Sequence, residues 1–347
     1  MADDPTKSKP EETTSPATAS SPPPTTAHIG TPELPDSPGA GQDVVQVDDD
    51  RDDDPGYDDG ASDASSFVSS LQSSVMQYRY KPNDDDEQER MDLGHHIYRL
   101  LIGGELHLAP IGDSPQRVLD LGTGTGIWAM DFADQYPSAQ VIGTDLSPIQ
   151  PRWTPPNCFF EVDDFEESWV YRRQFDYIHA RELGGCISDP VKFFAQIYDN
   201  LAPGGYFEMQ VVFPRFDSDD GTHVQAEDAQ FWMKNICEGA GKFGKPLDAA
   251  PEWFETAKAA GFVDVQKETR KIPIGAWPRD PTLKEIGRFQ MIQEQQVIDS
   301  YTPGIFSHVL GWTNEEITVL ISKVKKDLTN PAYHLYIPAY FFWGKKP

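Results

Sequence analysis

The sequence predicts an α/β fold built on a mostly parallel sheet, and three observations predict it. From residue 117 onward short apolar strands alternate with helical patterns, the order that a parallel sheet flanked by helices requires. The first strand runs directly into a glycine-rich turn, RVLDLGTGTGIW over 117–128, and a helix pattern follows it. A second apolar strand, 140–145, ends in Asp145, nineteen residues past Gly126.

Taken along the chain, the first ordered element expected is a helix over 66–76, where Phe67, Leu71 and Val75 fall four apart on one face. Tyr78-Arg-Tyr80 and a polar run, 81–88, lead to a second helix over 89–107, with Met91, His95, Tyr98 and Ile102 on one side and Gly103-Gly104 weakening its end. Strand one is 117–121 and its helix 127–135. Strands two, three and four are 140–145, 158–162 and 175–178. A helix over 191–201 reaches the turn APGG at 202–205, and strand five is 206–213. A helix over 251–260 and a strand over 262–267 come next, and the seventh strand is 337–343. Two segments interrupt this series. Residues 214–247 contain a helical run, 224–239, and residues 269–333 contain two more, 283–298 and 314–328. Insertions at strand ends of an open α/β sheet tend to build the substrate side, because ligands sit beyond the carboxyl ends of the strands.

Composition narrows the function. The chain has 347 residues and a net charge of −27, unevenly spread. Residues 1–63 hold 16 Asp and Glu against 3 Lys and Arg, with 10 of the 30 prolines and no Trp or Phe. Such a segment buries too little apolar surface to offset chain entropy. Residues 1–64 are therefore expected to be a disordered acidic tail, either solubilising or partner-docking, and 65–347 the folded domain. An acidic chain disfavours phosphate-backbone binding, so nucleic acid is not expected as a partner. Cys158, Cys186 and Cys237 show no metal-ligand spacing, and an odd count argues against a disulfide framework. No metal site is expected. The N-terminus lacks an apolar leader pattern, and no run approaches a membrane span. A soluble cytoplasmic or nuclear location is the expectation.

The turn after strand one carries the chemistry. Gly122, Gly124 and Gly126 permit a tight turn and close approach of a ligand to the main chain, and the following helix N-terminus points free N–H groups at it. Asp145 is placed to accept both hydroxyls of a ribose. A dinucleotide fingerprint, GxGxxG, would put its third glycine at position 127, which is Ile127. Asp120, at the end of strand one, would repel phosphate and attract an ammonium. S-adenosylmethionine has an amino-acid end, a sulfonium and an adenosine, and no phosphate. It is the cofactor these residues fit.

The motifs VLDLGTGTGIWA (118–129), IGTDLSPIQP (142–151), PPN (155–157), EVDD (161–164), IHAR (178–181), LAPGG (201–205) and IGAWP (274–278) together resemble the fungal LaeA-like methyltransferases, over residues 66–347. The resemblance implies a Rossmann-like class I methyltransferase fold, seven strands with the last antiparallel, and S-adenosylmethionine as methyl donor. It places Gly122, Thr123, Gly124 and Gly126 along the methionine portion, Asp145 on the ribose and Leu146 beside the adenine. It puts Asp163 and Asp164 near the adenine amino group and His179 next to the sulfur. The family includes regulators of secondary metabolism, some with velvet-type partners in the nucleus, and tailoring enzymes of biosynthetic clusters. The chain departs from the pattern after Tyr80, where Lys81-Pro-Asn83 follows at once and a dozen or so residues of lid are missing.

Methyl transfer from a sulfonium needs alignment and a dry site more than acid catalysis, because the leaving group departs neutral. An O–H or N–H acceptor also needs a base. His179 and Glu208 are the candidates, each with a structural alternative: a histidine packed on the cofactor, and a glutamate paired inside the sheet. Arg181 suits either an acidic acceptor or Glu182. Tyr78 and Tyr80 suit either the donor's carboxylate or aromatic packing of the N-terminal helix, and Trp128 is read as helix packing. No Asn-Pro-Pro-Tyr motif follows strand four, and the loop there has one glutamate where arginine methyltransferases have two. The acceptor, small molecule or protein, stays open. So does the alternative of a catalytically weak methyltransferase-fold partner in a nuclear regulatory complex.

Overall fold

The computed structural model describes residues 44–48 and 85–347. The helix expected over 66–76, Tyr78 and the departure after Tyr80 lie outside the described residues. Seven strands form one sheet: β1 (Arg117–Leu121), β2 (Gln140–Asp145), β3 (Cys158–Val162), β4 (Phe175–Arg181), β5 (Leu201–Val212), β6 (Val263–Pro273) and β7 (Tyr336–Lys345). Their order is β3-β2-β1-β4-β5-β7-β6, with β7 antiparallel to both neighbours and the other neighbouring pairs parallel. The helices are α1 (Asp85–Leu101), α2 (Ile127–Gln135), α3 (Pro190–Asn200), α4 (Glu227–Lys242), α5 (Ala250–Ala259), α6 (Pro281–His308) and α7 (Asn314–Leu328).

Side-chain alternation splits the sheet into two faces. Leu119, Leu121, Ile178, Ala180, Phe207, Met209 and Val211 pack on Phe193 and Phe194 of α3 and Trp253 of α5. The opposite face carries Val118, Val141 and Tyr177 against Trp128, Ala129 and Phe132 of α2. Further along that face, Phe341 and Ala339 meet Ile97 and Tyr98 of α1 and Ile286 of α6. The inserted helices α4, α6 and α7 share a core of their own around Trp232, Ile298, Phe306 and Leu320.

Several elements differ from expectation, four of them for physical reasons that follow from their contacts. β4 runs three residues further, to Arg181, because each added residue finds a partner on β5. α1 stops at Leu101, since Gly103 and Gly104 adopt φ of 73° and 94° and return their N–H groups to Leu100 and Arg99. α6 continues through Pro303, a residue that should end it, because Thr302, Ile305 and Phe306 are buried in the insertion's core. The turn at 202–205 survives as a bulge: Leu201 pairs with Phe175 and Tyr206 with Tyr177.

One stretch of the expected disordered tail requires correction. Val44–Asp48 is extended and packed. Val47 bridges Pro278, Asp48 donates to the carbonyl of Trp277 at 2.8 Å, and Arg279 donates to that of Gln46 at 2.6 Å. Val45 is buried with Trp277 and Tyr336, and Asp48 pairs with Lys284 of α6.

Candidate functional site

A cavity of about 400 Å³ opens at the carboxyl ends of β1, β2 and β4. The glycine turn forms its floor. Gly124 has φ 56°, and its N–H donates to Asp145 Oδ2 at 2.8 Å. Gly126 caps α2 at φ 82° without lining the cavity. A Cβ there would stand 2.3 Å from the Phe160 ring, so this glycine is required by packing. Thr123 donates its hydroxyl to Asp120 Oδ2 at 2.5 Å and its N–H to the carbonyl of Thr144. The turn is thus tied to both flanking strands.

Of the sequence-predicted residues, the cavity brings together Asp120, Gly122, Thr123, Gly124, Asp145, Leu146, Asp164 and His179. Asp145 accepts Gly124 N–H on one oxygen and Ser147 N–H on the other, at 2.8 and 2.9 Å, which aims the carboxylate into the mouth. Leu146 is half exposed beside it. Asp163 is exposed, is not among the described residues that line the cavity, and accepts the N–H of Asp164.

His179 and Glu208 sit side by side in the sheet, because Asp120, His179 and Glu208 are in register on β1, β4 and β5. His179 is fully buried, stacked on Trp128 with ring centroids 3.7 Å apart and planes 5° apart. Its Nδ1 meets Asp120 Oδ1 at 2.7 Å. Burial lowers the imidazole pKa against the raising influence of Asp120, so the ring is neutral and Nδ1–H donates to Asp120. His179 therefore orients Asp120. Glu208 is a correction: it does not line the cavity. Its carboxylate accepts the N–H groups of Leu108 and Ala109, the Gln210 amide and the Tyr177 hydroxyl. Burial nevertheless lifts its pKa to about 7. It fastens the segment after α1 to the sheet.

Sequence reasoning missed the far wall. Glu87, Arg90, Met91, His95 and Tyr98 of α1 and Gln293, Tyr301 and Ile305 of α6 face the same cavity. Arg90 grips Glu87 with two bonds of 2.7 Å. Glu182, in the left-handed region at φ 55°, takes the N–H of Val212 and the hydroxyl of Tyr98. Arg181, offered by the sequence as a partner of an acidic acceptor or of Glu182, falls on the face of Tyr177 and His179 because β4 extends to residue 181. The sequence offered Glu182 only as a partner for Arg181 and gave no sign of its place on the cavity wall, because a left-handed glutamate follows no local preference. Among the described residues no group of three or more His, Cys, Asp and Glu is placed to hold a metal ion, and no helix is long and apolar enough to cross a membrane.

The donor set discriminates among cofactors. A phosphate cradle needs free backbone N–H groups, yet Gly124 N–H is taken by Asp145, and the carboxylates of Asp120, Asp145 and Asp164 would repel phosphate. An adenosine attached to an ammonium-bearing chain meets the opposite situation, with Asp145 at hand for ribose hydroxyls and Asp120 for the cation. Comparison with known proteins agrees. Residues 93–267 match the family model described as "Methyltransferase domain". The chain is similar to methyltransferase pytC of Aspergillus terreus, 37% identical over 290 residues that cover 79% of this chain and 90% of that one. It resembles probable methyltransferase tdiE of Emericella nidulans at 32% over 263 residues, 76% and 83% of the two chains. The secondary metabolism regulator laeA of Aspergillus fumigatus is 31% identical over 274 residues, 77% and 72%. A glycine turn that offers carboxylates where a nucleotide would need N–H groups, in a chain this similar to fungal secondary-metabolism proteins, belongs to the family of S-adenosylmethionine-dependent methyltransferases.

Proposed function

We propose that this enzyme methylates a small molecule held between the glycine turn and the inserted helices, as a tailoring step of fungal secondary metabolism. The observation that carries this reading is the continuity of the cavity. One space is walled on one side by Gly122–Thr125 and Asp145, and on the other by Met91, Tyr98, Phe243, Tyr301 and Ile305. The second wall is apolar and aromatic with a few polar groups, the lining of a small-ligand site. When bound, S-adenosylmethionine supplies an electrophilic methyl group on a sulfonium that leaves as a neutral thioether. The chain's part is to hold and to desolvate. Asp145 takes the ribose hydroxyls, Leu146 flanks the base, Asp164 serves the exocyclic amine and Asp120 the ammonium. Trp128 and His179 close the space behind Asp120 against water. Glu182, on the cavity wall, is the carboxylate best placed to take the proton that an O–H or N–H acceptor gives up. The site operates where this protein is expected to reside, in the cytoplasm or nucleus.

Calorimetry on the full chain tests the donor half. Binding of S-adenosylhomocysteine is expected, and Asp145→Ala or Gly124→Asp abolishes it; an unmodified chain that binds neither donor nor product overturns the reading. Incubation with isotope-labelled donor and a metabolite extract from a deletion strain tests the acceptor half. Label in the low-molecular-weight fraction supports a tailoring enzyme. Label confined to protein refutes it in favour of a protein acceptor, and binding without transfer favours a non-catalytic partner.

A further inference from the structure

Three cationic Arg and Lys side chains line the cavity among the described residues, and two of them are spoken for. Arg90 is held by Glu87, and Lys245 by Glu166. The third, Arg181, forms no ion pair with a described carboxylate. Its guanidinium donates to Nδ1 of His95 at 2.9 Å and lies over the Tyr98 ring, 5.3 Å from its centre. Because Nδ1 of His95 accepts, its proton is on Nε2, which donates to Asp131 Oδ2 at 3.0 Å. Burial and the adjacent Arg181 push the His95 pKa down to about 4, so this partner is neutral and offsets none of the arginine's charge. Asp131 in turn is braced by Arg99 at 2.8 Å. Asp120 and Glu182 attract this guanidinium without touching it, but a buried guanidinium whose direct hydrogen-bond acceptor is neutral is a costly arrangement, and part of the Arg181 side chain opens onto the cavity. It is built to receive an anion.

The position of Arg181 tells which anion. Asp120 is in register with His179, and Arg181 is two residues along β4 on the same face. Asp120 and Arg181 are therefore diagonal neighbours on adjacent strands, with backbone positions roughly 7–8 Å apart. An α-amino acid has an ammonium and a carboxylate on one carbon and fits between them with both charges met. We propose that Arg181 binds the methionyl carboxylate of the donor, opposite Asp120 on the ammonium, and that His95 and Asp131 are positioning residues that fix the plane of its guanidinium. This assignment rests on the donor reading above.

Two product analogues test it on the full-length protein: S-adenosylhomocysteine, and its decarboxylated form, which lacks that one group. By calorimetry the unmodified chain prefers the former by ~10- to 100-fold, the range of a charge-assisted bidentate pair. Arg181→Met erases the preference by weakening the carboxylate-bearing ligand alone, and Arg181→Lys restores part of it. Asp131→Asn, at a partly exposed position that leaves the fold intact, lowers the preference several-fold with the decarboxylated ligand unaffected. An unchanged preference in Arg181→Met or in Asp131→Asn overturns the assignment while leaving the donor site standing. If Arg181→Met does not fold, Arg181→Lys and Asp131→Asn decide. Failure of the unmodified chain to bind either ligand removes the donor reading and this assignment together.

Discussion

Glu294→Gln should stabilise this protein, and more so in alkali. Glu294 is on α6, 6% exposed, and its carboxylate accepts the Gln290 amide at 2.7 Å. Burial is the main influence on it. Arg90 attracts it from a distance while engaged by Glu87, and Glu182 repels it. The balance lifts its pKa from 4.5 to about 7. The folded protein thus holds this proton more tightly than the unfolded chain does. Its contribution to stability is fully present below pH 4.5 and is lost as pH rises to 7. At about 1.4 kcal/mol per pH unit the whole span is worth roughly 3 kcal/mol. Between pH 5.5 and 8.5 the share is roughly 2 kcal/mol, the other part being already lost at 5.5. Glutamine mimics the protonated acid at every pH. Urea unfolding of parent and variant at the two pH values, followed by tryptophan fluorescence, should show the variant more stable at both and its advantage widened by roughly 2 kcal/mol at the higher. Glu208 has the same upward shift, but it is present in both proteins and cancels in the comparison. A constant or shrinking advantage would refute the reasoning, because it would mean that Glu294 is ionised and paired inside the fold.

Gly287→Ala should be among the costly small substitutions. Its Cβ would stand 2.0 Å from the carbonyl oxygen of Gly275, whose N–H donates to the Gly287 carbonyl at 2.8 Å, so two backbones must separate. A loss of about 2–3 kcal/mol by urea unfolding is expected. Val45→Asp should release the extended segment from its seat beside Trp277 and Tyr336, at a cost of about 1–2 kcal/mol of local stability. Amide exchange at Asp48 and Arg279, whose N–H groups bond across the bridge, should accelerate, with that of β1 unchanged.

Much of the architecture was legible because it repeats simple periods. The strand over 117–121 and the helix over 127–135 coincide with β1 and α2, since glycine marks their junction on both sides. The glycine turn and Asp145 were readable as a site for the same reason: chemistry placed next to a strand end needs no knowledge of distant contacts. The failures have a common origin in distant contacts. His179 looked like a loop residue at a strand terminus, but pairing with β5 draws it into the sheet, where Trp128 covers it. Glu208 was open to either a base role or pairing inside the sheet, and the backbone of residues 108–109, a hundred positions earlier in the chain, decides for the second. The helix expected over 283–298 runs on to His308 through Pro303, because of what the residues around that proline bury. Val45 looked like part of a tail because its two valine neighbours are too few to signal an element alone. The groove that seats them is made by residues near 278 and 336.

The far wall of the cavity raises the question of which part of it responds to a ligand. α6 is held by interlocking with the insertion's own core. Trp232 Nε1 donates to Thr302 at 2.8 Å, Gly239 leaves no room beside Ile305, and Asp327 of α7 accepts the first N–H groups of α4. α1 is attached differently. Its links to the strand ends run through side chains that border the cavity itself, His95 to Arg181 and Tyr98 to Glu182. Its contacts with α6 include a long 3.4 Å bond from Arg90 to Tyr301 and an edge-on ring contact between His96 and Phe289. An anion that engages Arg181 therefore also fixes the residue against which α1 is set, whereas α6 gains nothing from it. Of the two helices that face the glycine turn, α1 is the one whose position is coupled to the contents of the site. The physical reason is that one of its hydrogen bonds, accepted by His95 from Arg181, comes from the charge assigned to the donor's carboxylate.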